Sequence, residues 1–266
     1  MHADGFDIYS EALDILPYEP LDKQDELLRL LSGFCASREQ SEVFVVQGYA
    51  GTGKTSLMAA LVQALKKLSV NCVMLAPTGR AAKVLARYSG MPAYTIHKRL
   101  YRGNSTDPCN TSFYLAPNRD KDTIFIVDEA SMIPGSATSR LLDHLVRHVY
   151  SSPGCAIIFV GDTAQLPPVG ESESEAMSPG RLEQYGLRPY CFELDEPLRQ
   201  AARSGILYNA TRMRRRMTRS PLPLPQLWQK GFADVKVSTS EYLSEQIADS
   251  YRHTGQEHTI VITRSN

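Results

Sequence analysis

Residues 43–68 read VFVVQGYAGTGKTSLMAALVQALKKL, and the fold is decided there. Val43–Gln47 is short, apolar and rich in β-branched residues, the pattern of a strand buried on both faces. Residues 54–68 carry apolar positions at helical spacing. Between them stands Gly48-Tyr49-Ala50-Gly51-Thr52-Gly53-Lys54-Thr55, a complete GxxxxGKT turn with a strand before it and a helix after it. The glycines let such a loop curl with its N–H groups inward, and the helix N-terminus adds partial positive charge. The loop is built for phosphate. Lys54 is placed to reach the β- and γ-phosphates of a nucleoside triphosphate, and the Thr55 hydroxyl to ligate Mg²⁺. Together with Ser56 these eight residues are the expected ATP-binding loop.

The same rhythm continues outward. Val70–Ala76, Thr123–Asp128 and Cys155–Gly161 are further buried strands, and residues 79–89 and 136–149 further helices. Strand alternating with helix predicts an α/β fold with a parallel sheet and helices on both faces. Residues 1–41 read as a helical lead-in and 42–200 as the nucleotide-binding α/β domain. The polar, turn-rich segment 102–122 interrupts it, as a loop or a small hairpin. The acidic stretch 167–180 (PPVGESESEAMSPG) reads as irregular and flexible. Past residue 200 come a basic helix (211–219), a proline-rich link (220–225) and a β-α-β pattern over 234–263. We expect 201–266 to be the beginning of a second domain, cut short.

Acidic and polar residues stand at strand ends. Asp128-Glu129 closes TIFIVDEA. Asp128 is expected to hold Mg²⁺, and Glu129 to act as general base toward the water that attacks the γ-phosphate. The plainer reading is a helix cap. A third strand ends in GDTAQLPP, where Gln165 can sense the γ-phosphate or its water. Asp162 serves there either as a structural cap or in the site. Arg199, in the sequence ELDEPLRQ, is a candidate for stabilising phosphoryl-transfer charge, a surface salt bridge being the alternative.

Composition excludes other classes. Hydrophobic residues make up 42% and charged residues 22%, so neither a disordered nor a fibrous chain is in question. Twenty-nine Lys+Arg balance 29 Asp+Glu, which argues against a polycationic wrap around nucleic acid while leaving room for a local basic groove. The five cysteines form no CxxC pair and no zinc spacing. The acidic N-terminus is not a signal peptide, and no apolar run approaches the ~20 residues of a membrane span. A reduced, cytoplasmic protein with no membrane contact is expected.

The ordered series GYAGTGKT, APTGRAAKVL (76–85), TIHKRLY (95–101), IVDEAS (126–131), GDTAQLPPVG (161–170) and LRQ (198–200) resembles the superfamily 1B DNA helicases, most closely their RecD/Dda-like group, the exonuclease V alpha-subunit helicases. The resemblance spans roughly residues 20–200. It implies two RecA-like domains, the second beginning within 201–266, ATP-driven 5′→3′ translocation on single-stranded DNA and unwinding at single/double-strand junctions, with work alone or within a recombination-repair complex both open. By the same resemblance Gln24 reads the adenine edge, and Thr78, Arg80 and Lys83 hold the DNA backbone. His97 lies near the strand path, Gln165 senses the γ-phosphate and Arg199 is the motif IV arginine. Segment 102–122 stands where the family places a duplex-splitting pin. The family's later second-domain motifs are absent, so ATP binding is expected with weak turnover and no translocation.

Spacing bears on the DNA side too. Arg80 and Lys83, three apart on one helix, share a face suited to a phosphate track or simply to solvent. His97 and Tyr101, four apart, can stack bases or fill a core edge. Competing classes fare worse. A P-loop switch acting on a protein partner without DNA is the alternative. A GTPase would need an NKxD-type guanine reader, which is missing, and the adjacent Asp128-Glu129 pair speaks against a small-molecule kinase.

Overall fold

The computed structural model describes residues 3–37, 39, 41–49, 51–104, 112–135, 139–196, 204–217 and 224–263. The chain divides into two compact units, Met1–Arg199 and Gln200–Asn266. The first opens with helices α1 (Gly5–Ile15) and α2 (Asp22–Ser37), then β1 (Glu42–Gly48), α3 (Lys54–Lys67), β2 (Asn71–Ala76) and α4 (Gly79–Ser89). It continues through β3 (Ala93–Thr95), α5 (Ile96–Leu100), β4 (Tyr101–Asn104), β5 (Ser112–Leu115) and β6 (Thr123–Val127). Helix α6 (Leu141–Tyr150), β7 (Ala156–Gly161), α7 (Pro179–Gln184) and β8 (Arg188–Leu194) complete it. Among the described residues six strands form one sheet in the order β3-β2-β6-β7-β1-β8, every neighbouring pair parallel. This is the α/β sheet that the strand-helix rhythm predicts.

Side-chain alternation along the central strands sets the layers. Phe44, Val46, Ile124, Ile126, Ile158 and Val160 face one way, into a core shared with Ile8 and Ala12 of α1, Leu27, Leu28 and Leu31 of α2, and Leu57 and Leu61 of α3. Val43, Val45, Phe125, Val127, Ile157 and Phe159 face the other way, onto Ile96 and Leu100 of α5 and Leu141, Leu142 and Leu145 of α6. Strands β6 and β7 are buried at every position, which is why they read as unbroken apolar runs rather than as alternation. Each such large side chain contributes about 1.5–3 kcal/mol by leaving water. The rigidity of this double-faced sandwich positions everything at the strand ends.

Several expectations are refined. The helix expected over 136–149 is formed as Leu141–Tyr150, with 136–138 outside the described residues. The excursion at 102–122 holds an antiparallel hairpin, with Tyr101 paired to Leu115 and Gly103 to Phe113; its tip lies outside the described residues. The stretch 167–180, expected to be irregular and flexible, is irregular over 167–173, but Ser174, Ala176 and Met177 are buried and α7 begins at Pro179. The Ala176-Met177 pair supplies apolar surface that the surrounding acids masked.

The second unit holds α8 (Gly205–Met217) and α9 (Leu243–Thr254). Asp234 caps α8, accepting from Gly205 N at 2.8 Å and Ser204 Oγ at 2.7 Å. Asn209 exchanges hydrogen bonds with the Trp228 backbone at 2.6 and 2.7 Å. The strands expected at 234–237 and 259–263 are not formed. Ile260, Val261 and Ile262 stay exposed with no neighbouring strand among the described residues, and without a ladder partner an apolar run is not a strand.

Candidate active site

The phosphate loop follows directly from β1. Tyr49 N donates to Leu194 O at 3.0 Å, tying the loop's first turn to the end of β8. Gly51 and Gly53 have φ of 77° and 86°, the left-handed region that glycine enters freely. At Gly48 a Cβ would lie 2.7 Å from Lys54 Cδ, so a larger residue there would displace the lysine side chain. Lys54 folds back over the loop, its Nζ donating to Gly48 O at 2.6 Å and Tyr49 O at 2.8 Å. Thr52 Oγ1 also donates to Tyr49 O, at 2.8 Å. Helix α3 starts at Lys54 with no side-chain cap, so the N–H groups of its first turn face into the loop, where they can cradle an anion. Thr55 is exposed and Ser56 half-buried at this turn. Ala50 lies outside the described residues.

Gln24 supports the loop from α2. It is only 1% exposed. Its Oε1 accepts from Leu21 N at 3.1 Å, and its Nε2 donates to Thr52 O at 2.7 Å. The amide thus spends its carbonyl and one N–H inside the protein, directly beside Gly53.

Asp128 follows β6, its N donating to Leu75 O at 2.9 Å. Burial pushes its carboxyl up to about 6; the Glu129 charge adds to this, and the Glu129 backbone N–H and Lys54 oppose it. Glu129 N donates to Asp128 Oδ1 at 2.9 Å. Glu129 itself has φ of 54°, a left-handed backbone on a non-glycine residue, which costs of order 1–3 kcal/mol. It leads into a single 3₁₀ turn, Ala130–Met132. Glu129 stands at the N-cap position of that turn, but its side chain makes no capping hydrogen bond there.

Strand β7 lies between β1 and β6, in register Gln47 with Gly161 and Val127 with Phe159. With strands about 4.8 Å apart, the ends carrying the phosphate loop and the carboxylates are about 10 Å apart with β7 between. Just past β7, Asp162 is 5% exposed, and its Oδ1 accepts from Ala164 N at 2.9 Å. Its carbonyl accepts from Gln165 N at 3.1 Å. Asp162 thus shapes the turn, and Gln165 projects from it exposed. Arg199 lies outside the described residues.

Helix α4 leaves the same sheet edge. Thr78 caps it, accepting from Ala81 N at 3.2 Å, and Arg80 and Lys83 are exposed. His97 is exposed on α5, its ring centroid 5.7 Å from that of Tyr101. The Tyr101 hydroxyl is held by His144 Nδ1 at 2.7 Å. Tyr94, His97, Lys98, Arg102 and Phe113 line a cleft of about 790 Å³ at the hairpin's base. His97 and Lys98 stand in the TIHKRLY motif, and Tyr94 and Arg102 flank it as an aromatic and a basic residue; Phe113 comes from the distant strand β5. Among the described residues no group of three or more His, Cys, Asp or Glu is placed to hold a metal ion. No described helix is long and apolar enough to cross a membrane.

A family model described as an AAA domain matches residues 24–216. The ATP-dependent DNA helicase dda of Enterobacteria phage T4 is 33% identical over 144 residues, 53% of this chain and 31% of that protein. The ATP-dependent RecD2 DNA helicase of Deinococcus radiodurans is 34% identical over 131 residues, 47% of this chain and 16% of that protein. The crystal structure of Pif1 helicase from Candida albicans aligns with a TM-score of 0.43 at 21% identity, over 70% of this chain and 42% of that one. The matched regions thus span under a third of the length of either curated relative.

Proposed function

The chain belongs to the AAA domain family, and from that premise we propose that it is the ATP-hydrolysing motor portion of a superfamily 1B DNA helicase. One observation carries the reading: the phosphate loop after β1, Asp128-Glu129 after β6 and the Asp162–Gln165 turn after β7 converge on one sheet edge. Helix α4 brings exposed Arg80 and Lys83 out beside them. Two relatives that carry the helicase name support it.

In this reading the loop amides and Lys54 bind the triphosphate, and Gln24 turns its remaining N–H toward the adenine. Glu129 accepts the proton of the attacking water, while Gln165 and Arg199 contact the γ-phosphate and its developing charge. Thr55 and Asp128 offer the hard oxygen donors that suit Mg²⁺, which when bound neutralises phosphate charge. A carboxyl raised by burial fits that role, since a neighbouring dication favours its ionised form. Thr78, Arg80, Lys83 and His97 hold single-stranded DNA through its backbone, without reading sequence. The β4–β5 hairpin acts as the pin at junctions, translocation runs 5′→3′, and the whole protein serves recombination or repair. The test is ATP hydrolysis by this chain with and without single-stranded DNA. We expect stimulation that disappears in Glu129→Gln; turnover indifferent to DNA, or undiminished in the variant, would overturn the reading.

A further inference from the structure

The segment 171–177 has no part in the chemistry above, yet it touches the ends of all three central strands. Ser174 is 3% exposed. Its hydroxyl lies 2.9 Å from Ala130 O and 2.7 Å from Ile133 O, sharing its one hydrogen between the two carbonyls that bracket the 3₁₀ turn after Glu129. Glu171 holds the far side of the same loop, both carboxylate oxygens accepting from Gly135 N at 2.9 Å. Met177 completes the strap. Its carbonyl accepts from Gln47 Nε2 at 3.2 Å, and its Sδ would lie 3.0 Å from a Cβ on Gly161.

This arrangement answers a physical question the site leaves open. A left-handed glutamate persists only where its surroundings over-determine it. The turn's own bonds, Met132 N to Glu129 O at 3.0 Å and Ile133 N to Ala130 O at 3.1 Å, are two weak 3₁₀ contacts. Ser174 adds the buried anchor that fixes them. We propose that Ser174 is a positioning residue for Glu129: it holds the turn after the glutamate so that the carboxylate is aimed at the attacking water without itself touching nucleotide. The proposal rests on Glu129 being the general base, and it deepens that reading.

The test is Ser174→Ala, with Ser174→Thr as the rescue, since the extended backbone at Ser174 (φ −78°, ψ 129°) suits a β-branched residue. A misaimed catalytic group loses up to about a hundredfold. We expect Ser174→Ala to lower kcat by about ten- to a hundredfold with KM for ATP within twofold of the parent, and Ser174→Thr to restore it. Amide exchange on the nucleotide-free protein gives a readout independent of turnover. The Met132 and Ile133 amides should exchange at least about tenfold faster in Ser174→Ala while α3 amides do not change. Unchanged exchange at Met132 and Ile133, acceleration spread over the whole unit, or a parental kcat in Ser174→Ala while Glu129→Gln is dead would each overturn the proposal. Glu129→Gln turning over at the parental rate would instead overturn the general-base reading, and Ser174's catalytic role with it.

Discussion

Replacing Asp128 by asparagine should stabilise the protein at neutral pH while removing a group the proposed chemistry needs. Burial raises the carboxyl from 3.8 to about 6, so the folded state binds its proton more tightly than the unfolded chain does. The sign follows from linkage: between about pH 4 and 6 the folded state carries the extra proton, so stability falls as pH rises through that window and levels off above it. At roughly 1.4 kcal/mol per unit, a shift of about two units destabilises the ionised form by up to about 3 kcal/mol. Asparagine keeps an oxygen for the Glu129 N–H, which donates to Oδ1 at 2.9 Å, and carries no charge to bury. For a unit of about 200 residues, 1 kcal/mol corresponds to about 2–4 °C in Tm. Asp128→Asn should therefore melt as much as about 6–12 °C above the parent at pH 8, with the gap closing toward pH 4. The assay is a thermal melt of both proteins across that pH range, without nucleotide or divalent cation. A variant no more stable than the parent at pH 8, or a gap that widens on acidification, refutes the reasoning.

Gly53→Ala combines a backbone at φ 86° with a Cβ 2.7 Å from Gln24 Nε2 and 2.9 Å from the Tyr18 hydroxyl; a loss of about 2–4 kcal/mol is expected in denaturant unfolding. Gln24→Ala leaves Leu21 N and Thr52 O without their buried partner and should cost about 1–3 kcal/mol in the same assay. Arg80→Ala with Lys83→Ala should leave the melting temperature within about 4 °C, since both side chains are exposed. The same pair should flatten the salt dependence of single-strand binding, by about 0.7 in log–log slope for each phosphate no longer neutralised. Binding titrations at several salt concentrations check this.

The core of the site was legible because its parts are local. A strand end, a glycine-rich turn and a helix start lie within a dozen residues, and Asp128-Glu129 and Asp162 follow strands whose unbroken apolar runs announce burial on both faces. The parallel sheet follows from the same alternation. Less legible was anything whose partner is remote. Gln24 meets Thr52 across 28 positions, and nothing around it announces a buried amide. The stretch 167–180 reads as flexible because its acids dominate the composition, although Ser174 and Met177 are buried.

By itself, then, the sequence determined the α/β class, the phosphate loop and the carboxylates, because backbone hydrogen bonding and side-chain period act over a few residues at a time. Tertiary structure alone decided that β7 stands between the loop and the carboxylates, that burial raises Asp128, and that Ser174 reaches back 44 positions to the turn after Glu129. Those are properties of packing. Dielectric, strain and hydrogen-bond satisfaction depend on which distant groups share a volume, and no local pattern of residues encodes that volume.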